Sequence, residues 1–229
     1  MLFATLTLFT TPQLTKAVII TEWTFETSEL GGQIVGNWIT NITAEVGSGT
    51  ASAWHHSVFP VDYTFVNGNG SYRAFGVTND WTVGDFFQFA ISTAGYQNIA
   101  ISYDQAGNLT GPGTFFLEYS IDGRTFTKFG SDYKVNVGHW TYSSTSTTNS
   151  FSFDLSSVTS INGQPTVYFR VVDGSTVAIG GGTVSGYEED GIDNFLVSAQ
   201  PVPEPSTMAL AVLGGTFGAF ISKRKRVKS

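Results

Sequence analysis

The residues best suited to chemistry form an acidic run late in the chain, Glu188-Glu189-Asp190-Gly191-Ile192-Asp193. Carboxylates crowded beside glycine are hard oxygen donors, and Ca²⁺ takes about six to eight oxygens in a flexible geometry. If the first and last strands of the fold meet, Glu22 or Glu26 joins Asp193. Glu22, Asp190 and Asp193 are therefore candidate ligands of a structural Ca²⁺. The spacing is not that of an EF-hand, and a solvated acidic loop is the competing reading.

A second chemistry is sugar recognition, in which aromatic faces stack on sugar rings while nearby polar groups bond the hydroxyls. Trp54, Tyr63, Tyr72, Trp81, Trp140 and Tyr142 fall in or beside expected loops. Trp54, Trp81 and Trp140 are the candidate sugar contacts. With 19 Phe, 9 Tyr and 5 Trp, most aromatic side chains must be core. A third chemistry, polysaccharide hydrolysis or lysis, commonly uses two carboxylates about 5–10 Å apart. Asp104 and Glu118 are the candidates for that pair.

Nucleophilic and zinc chemistry find little support. There is no cysteine. Adjacent His55 and His56 would point to opposite faces of a strand, and His139 stands apart from them in sequence. No His-x-x-x-His pair, Gly-x-Ser-x-Gly elbow or phosphate loop occurs. The expectation is a chain without a catalytic site.

The elements that must position these residues read as strands. Between residues 18 and 200, short aromatic and β-branched runs alternate with Gly, Asn, Asp and Ser. Strands are expected at 18–25, 71–77, 86–92, 98–104, 114–121, 125–129, 150–154, 166–173 and 193–198. No helical period occurs before residue 206. The pattern predicts an all-β, two-sheet β-sandwich of jelly-roll type. Asp122-Gly123 between alternating segments predicts a two-residue type I′ hairpin turn. Phe115, Leu117, Tyr119 and Ile121 then share one face, and Phe116, Glu118 and Ser120 the other. Asp122 serves the turn in this reading and is not a catalytic acid.

Charge divides the chain. Its formal net charge is −7, from 11 Lys+Arg and 18 Asp+Glu. Lys223, Arg224, Lys225, Arg226 and Lys228 crowd the C-terminal tip, whereas Glu204 is the one acid outside residues 18–200. The body is thus strongly acidic, which argues against nucleic acid as a partner. Asn41, Asn69 and Asn108 open Asn-x-Ser/Thr triplets that chance accounts for.

The last residues have three parts in immediate succession: Val202-Pro203-Glu204-Pro205-Ser206, an uncharged apolar run over 206–222, and a basic tip over 223–229. Pro203 and Pro205 fix φ and remove N–H donors, so the first part reads as extended and open to a processing enzyme. The run is at the short limit for a single transmembrane helix of about 17–25 residues. Lys223, Arg224, Lys225 and Arg226 orient it with the tip on the cytoplasmic side. This order resembles the PEP-CTERM sorting signal of exported bacterial proteins. The resemblance implies that an exosortase, a membrane-embedded cysteine peptidase, processes the chain at or near Pro-Glu-Pro. Val202 to Ser206 would be its recognition motif. It also implies the inner membrane as an intermediate, a final place at the cell surface or outside, and an association with extracellular polysaccharide and biofilm.

Residues 1–17 read as a signal peptide, with an apolar stretch from Leu2 to Phe9 and a small-residue site at Thr15-Lys16-Ala17. It lacks the usual positive start, so either the true start lies upstream or the peptide is atypical. Residues 18–200 form the sandwich domain and 201–229 the sorting segment. Within the domain, Tyr103-Asp104, Gly111-Pro112, the Tyr119-Ser-Ile-Asp-Gly123 hairpin, Phe153-Asp154-Leu155, Val167-Tyr-Phe-Arg170 and Gly191-Ile-Asp-Asn-Phe-Leu-Val197 occur in order. This body resembles the jelly-roll extracellular domains found ahead of PEP-CTERM tails, which implies a β-sandwich without implying an activity.

Overall fold

A computed structural model describes residues 16–27, 34–35, 37–56, 62–78, 81–138, 140–185 and 189–203. The strands are β1 (Val18–Trp23), β2 (Ile34–Val35), β3 (Trp38–Thr43), β4 (Val46–Gly47), β5 (Gly49–Trp54), β6 (Asp62–Val66), β7 (Ala74–Thr78), β8 (Phe86–Ile91), β9 (Tyr96–Gly107), β10 (Thr114–Ser120), β11 (Thr127–Lys134), β12 (Ser150–Asp154), β13 (Val167–Asp173) and β14 (Glu189–Pro201). One 3-10 turn, Thr159–Ile161, lies between β12 and β13.

Among the described residues, two seven-stranded sheets form the expected sandwich. The first has the order β12-β9-β14-β1-β4, with β7 also on β14 and β6 on β7. The second runs β11-β10-β13-β8-β5-β3-β2. Among the described residues, the pairs between these strands are antiparallel. The long strand β14 is the spine of the first sheet. One edge lies along β9, while the other pairs first with β7 and then with β1. The first and last strands therefore do meet, with Glu22 opposite Leu196.

Alternation places the core between the sheets. Phe115 and Leu117 on β10 are fully buried, while Phe116 and Glu118 are half-buried on the other face. Trp23 on β1 meets Phe89 of the opposite sheet edge-on at 5.1 Å between ring centres, and Phe195 of β14 at 5.9 Å. Its Nε1–H donates to Ile42 O at 3.1 Å, so the buried indole is satisfied. Burying each such ring contributes about 1.5–3 kcal/mol.

Two expectations need correction. The Asp122-Gly123 turn is not a two-residue hairpin, because β10 ends at Ser120 and β11 begins at Thr127. Gly123 alone of the pair takes positive φ, at 69°. Asp122 instead accepts hydrogen bonds through Oδ1 from the Arg124 and Thr125 N–H groups, both at 2.8 Å. These bonds hold its carboxyl down at about 2. Ile121 consequently falls in the loop, half-exposed, and leaves the face it was expected to share. The second correction is the run of strands from β2 to β6, which the apolar pattern did not mark.

Residues 1–15 of the expected signal peptide, and the expected transmembrane segment 206–222 with its basic tip, lie outside the described residues. Among the described residues no helix is long and apolar enough to cross a membrane.

Candidate functional site

The outward face of the second sheet carries a groove. Across it, Ser52, Gln88, Arg170, Glu118 and Lys128 are successive register partners on β5, β8, β13, β10 and β11. Period-two alternation puts them on one side, since Ala53, Phe87, Phe89, Phe169, Val171 and Leu117 fill the buried side. The groove encloses about 500 Å³. Its floor is small or polar: Thr50, Ser52, Gln88 and Ala90. Trp38 on β3 and Tyr168 on β13 line it from opposite sides. Three strand spacings, about 14 Å, separate their strands. Asn41 stands at the same groove with φ of 67°.

The polar row beside the groove is held rigidly. The Arg170 guanidinium lies between two rings, 3.8 Å from the Phe86 ring centre and 3.5 Å from that of Phe126. Its Nε–H donates to Gln88 Oε1 at 2.8 Å, and an NH1–carboxylate contact of 3.6 Å joins it to Glu118. Gln88 Nε2 donates in turn to Ser52 Oγ at 3.4 Å. Burial lowers the Arg170 pKa and raises that of Glu118, and each charge opposes the other's shift. The floor thus offers fixed amide and hydroxyl groups between aromatic walls.

The expected site residues separate into distinct places. Trp54 lies on this outward face with its ring stacked on Phe86, 5.8 Å and 21° apart, beside the groove and not lining it. Trp81 is core: it is 5 % exposed, and its Nε1–H donates to Val77 O. It is unavailable to a sugar. Trp140 lines a second, smaller recess of about 270 Å³ with Val66, Asn67, Ala106, Gly107, Asn108 and Gly138. Tyr72 and Tyr142 stack in parallel at 5.3 Å, 70 % and 59 % exposed. The Tyr63 side chain lies outside what is described.

The paired-carboxylate arrangement is overturned. Asp104 is on β9 of the first sheet and Glu118 on β10 of the second, both among outward-facing positions. The sandwich, about 10 Å between sheets, stands between them. Asp104 accepts from Asn69 Nδ2, Asn194 Nδ2 and Ser150 Oγ.

The calcium ligands are not gathered either. Among the described residues no group of three or more His, Cys, Asp or Glu is placed to hold a metal ion. Asp193 accepts the Asn69 N–H, the Ser71 hydroxyl and the Asn194 N–H. Asp190 accepts from Gln105 Nε2 at 2.9 Å. Glu22 lies level with Leu196, further along β14, and Glu26 accepts the Arg73 N–H. The hydrogen bonds of Asp190 and Asp193 are thus made to protein donors. Glu188 and the Glu189 side chain lie outside what is described.

Of the histidines, His139 is outside the described residues and His56 is exposed. His55 is fully buried edge-on to Trp81, 4.4 Å between ring centres, and burial pushes its pKa down to about 3. Burial thus favours its neutral form, and its Nδ1 lies 3.4 Å from Asp85 Oδ2. Asn69, one of the Asn-x-Ser/Thr positions, has its amide nitrogen bonded to Asp104 and to Ser146 O.

Sequence reasoning missed Trp38, Gln88, Tyr168 and Arg170. The last three had a signal. In the expected strands 86–92 and 166–173 the inward positions are strongly apolar, so the alternate ones had to face out. Trp38 had none, because its strand was not expected.

Residues 201–226 carry the PEP-CTERM protein-sorting motif, to whose family description they match. Val202, Pro203, Glu204, Pro205 and Ser206, with Lys223 to Arg226, fall inside this match. No curated protein matches the sequence. Several solved structures are similar in fold. One is the CBM22-1–GH10 xylanase 10B of Clostridium thermocellum in complex with xylohexaose, at 15 % identity and TM-score 0.46, covering 82 % of this chain and 30 % of that one. Another is the CBM22-1 xylan-binding domain of Paenibacillus barcinonensis Xyn10C, at 8 % identity and TM-score 0.42, covering 82 % and 99 %. A third is the K1 cleaved adhesin domain of Lys-gingipain from Porphyromonas gingivalis, at 12 % identity and TM-score 0.39, covering 82 % and 99 %. Likeness at this level carries no information about a ligand.

Proposed function

We propose that this chain is an exported, non-catalytic polysaccharide-binding protein of the bacterial surface or extracellular matrix, sorted and processed by an exosortase. The observation that carries the binding reading is the groove on the second sheet. Trp38 and Tyr168 line its two sides, and between them lie the hydroxyls of Thr50 and Ser52 and the amide of Gln88. Aromatic faces and fixed polar groups on a strand platform suit an extended run of sugar units. A surface groove of about 500 Å³ has room for more than one sugar unit, so it takes a stretch of a polysaccharide chain. The acidic body makes a neutral polymer the better partner than a polyanionic one.

The sorting motif supports the route. The chain is exported, held for a time at the inner membrane through residues 206–222, and cut at or near Pro203-Glu204-Pro205. The test is retention of the processed protein on the host's extracellular polysaccharide. Wild type should be retained, and the Trp38→Ala/Tyr168→Ala pair should not. Equal retention of both would end the groove reading. Release of reducing sugar during the same incubation would favour a hydrolase in its place.

A further inference from the structure

We infer that the tip of the sandwich furthest from the sorting tail is a second carbohydrate site, one that takes a single neutral sugar at a chain end or branch. The inference is independent of the groove.

Its position follows from β14. The strand is 13 residues long, about 40 Å at the ordinary rise of a strand. Its last residue, Pro201, opens the sorting motif, and its first residues pair with β7 and with the end of β9. β1 also begins at the tail end, with Val18 opposite Ala199. While the tail holds the chain at a membrane, the start of β14 is the end directed away from it.

Among the described residues, two segments build that tip, residues 66–73 and 140–149. The Gly70 N–H donates to Thr141 O at 3.0 Å. The Asn69 amide clamps them from both sides, accepting from the Ser146 N–H at 2.7 Å and donating to Ser146 O at 2.7 Å. A Cβ on Gly70 would stand 2.4 Å from Thr145 Cγ2, and the residue's φ is +76°, so glycine is needed there for the close approach. This clamp holds Tyr72 and Tyr142 in their parallel stack. Stacking covers one face of each ring, and the exposure of both leaves the rest open to solvent.

The same two segments wall the recess lined by Trp140. Trp140 reaches over β14 at Gly191, where a Cβ would lie 3.7 Å from its Cζ3 and 3.2 Å from Val66 Cγ2. Gly138 is seated against Ala106, where a Cβ would fall 2.1 Å from the alanine methyl. Beside the indole are Asn67 and Asn108. Among the described residues, none lining the recess is ionisable. A tryptophan face and two carboxamides, which are uncharged donors and acceptors, suit one neutral pyranose, and about 270 Å³ is room for a ring and not for a chain. Two solvent-facing tyrosines on the same loops supply further stacking surface for the sugar that follows. Exposed aromatics held this rigidly lose little entropy on binding.

The test labels the tryptophans of the full chain, expressed and processed in its host, with 5-fluorotryptophan. The Trp140 resonance is assigned from Trp140→Phe. The probes are the methyl pyranosides of glucose, galactose, mannose and xylose, and the neutral monosaccharides from a hydrolysate of the host's own polysaccharide. At least one probe should move the Trp140 resonance in wild type and equally in Trp38→Ala/Tyr168→Ala. For the longer oligosaccharides of the same sugar, affinity at this resonance should fall about tenfold in Tyr72→Ala/Tyr142→Ala, as for truncated aromatic anchors generally. Both tyrosines are exposed, so that variant keeps its fold, and its remaining tryptophan resonances check this. A Trp140 resonance that no probe moves overturns the site. A response that disappears with the groove variant assigns the binding to the groove and also overturns it.

Discussion

Asp104 and Asp193 face one another across the β9–β14 ladder, and Asn69 bonds to both: its Nδ2 donates to Asp104 Oδ2 at 3.0 Å and its backbone N–H to Asp193 Oδ2 at 2.8 Å. Asp193 is fully buried. Burial, with the Asp104 charge as a smaller cause, pushes its pKa up to about 7, against the hydrogen bonds that favour the carboxylate. A carboxyl whose folded pKa lies above its unfolded one binds its proton more tightly in the folded state. Its contribution to stability is complete below the unfolded value of 3.8 and is lost as pH rises through about 7.

The melting temperature should therefore fall between about pH 4 and about pH 7 and level off above that. Asp193→Asn should flatten that dependence. It should not abolish it, because burial also raises Asp85 to about 6 and Asp173 to about 7. His55 works in the opposite sense, since its lowered pKa costs stability as pH falls from 6.5 towards 3. Thermal melts of both proteins across this range check the prediction. Parallel curves would show that Asp193 is not the titrating group.

Arg170 should matter to the groove through packing as well as charge. Its guanidinium is held between Phe86 and Phe126 and bonded to Gln88. Arg170→Ala leaves Glu118 half-buried without its cation and removes the stack, at a cost of about 2–4 kcal/mol. Arg170→Lys keeps the charge but not the planar fork, so it should recover less than half of the loss. Urea denaturation of the three proteins measures this. Full recovery in the lysine variant would mean that charge alone is at work.

How far the sequence disclosed this fold depends on which residues carry the alternation. Where Phe, Leu, Ile or Val mark the inward positions, as in β8, β10, β12 and β13, the strands were legible to within a residue or two. In β5 the inward positions are Ala51 and Ala53, fully buried yet hardly apolar in a pattern search. Their small size leaves room for the large rings they face, and the same property hid the strand. β2 and β4 are two residues long and set no period. The groove was invisible for a related reason: its walls come from β3 and β13, far apart in sequence, and only the sheet order brings them to one face. The tail was legible because its signal is local and needs no fold to express it. The surroundings of the acidic run were not legible, because the donors that bond Asp193 and Asp190 come from Asn69, Ser71 and Gln105, far from the run in sequence.

Phe195 ties the two sheets together. It meets Trp23 edge-on, stacks on Phe89 of the opposite sheet and lies 5.6 Å from the Tyr103 ring centre. Phe195→Ala should cost about 3–5 kcal/mol, because the surrounding rings cannot close the cavity. Against a domain stability of about 5–15 kcal/mol, that leaves little margin. A loss under about 1 kcal/mol in urea denaturation would show that this core can collapse around the gap.

Pro201 is at once the last residue of β14 and the first of the sorting motif. It stands opposite Tyr96, and the next N–H, that of Val202, donates to Gly95 O at 2.9 Å. The fold thus passes into the motif with no spacer, and a peptidase acting at Pro-Glu-Pro must work against the end of the sandwich where residues 93–96 turn. A Gly-Ser insert of about ten residues after Val202 would place roughly 17 Å of flexible chain between the two. Processing should then be faster, because the enzyme no longer meets the folded domain. A pulse–chase followed by intact-mass analysis of cell-bound and released protein reads both the rate and the cut positions. An unchanged rate would mean that the end of the sandwich is no obstacle, and that the enzyme accommodates the docked domain as part of its substrate.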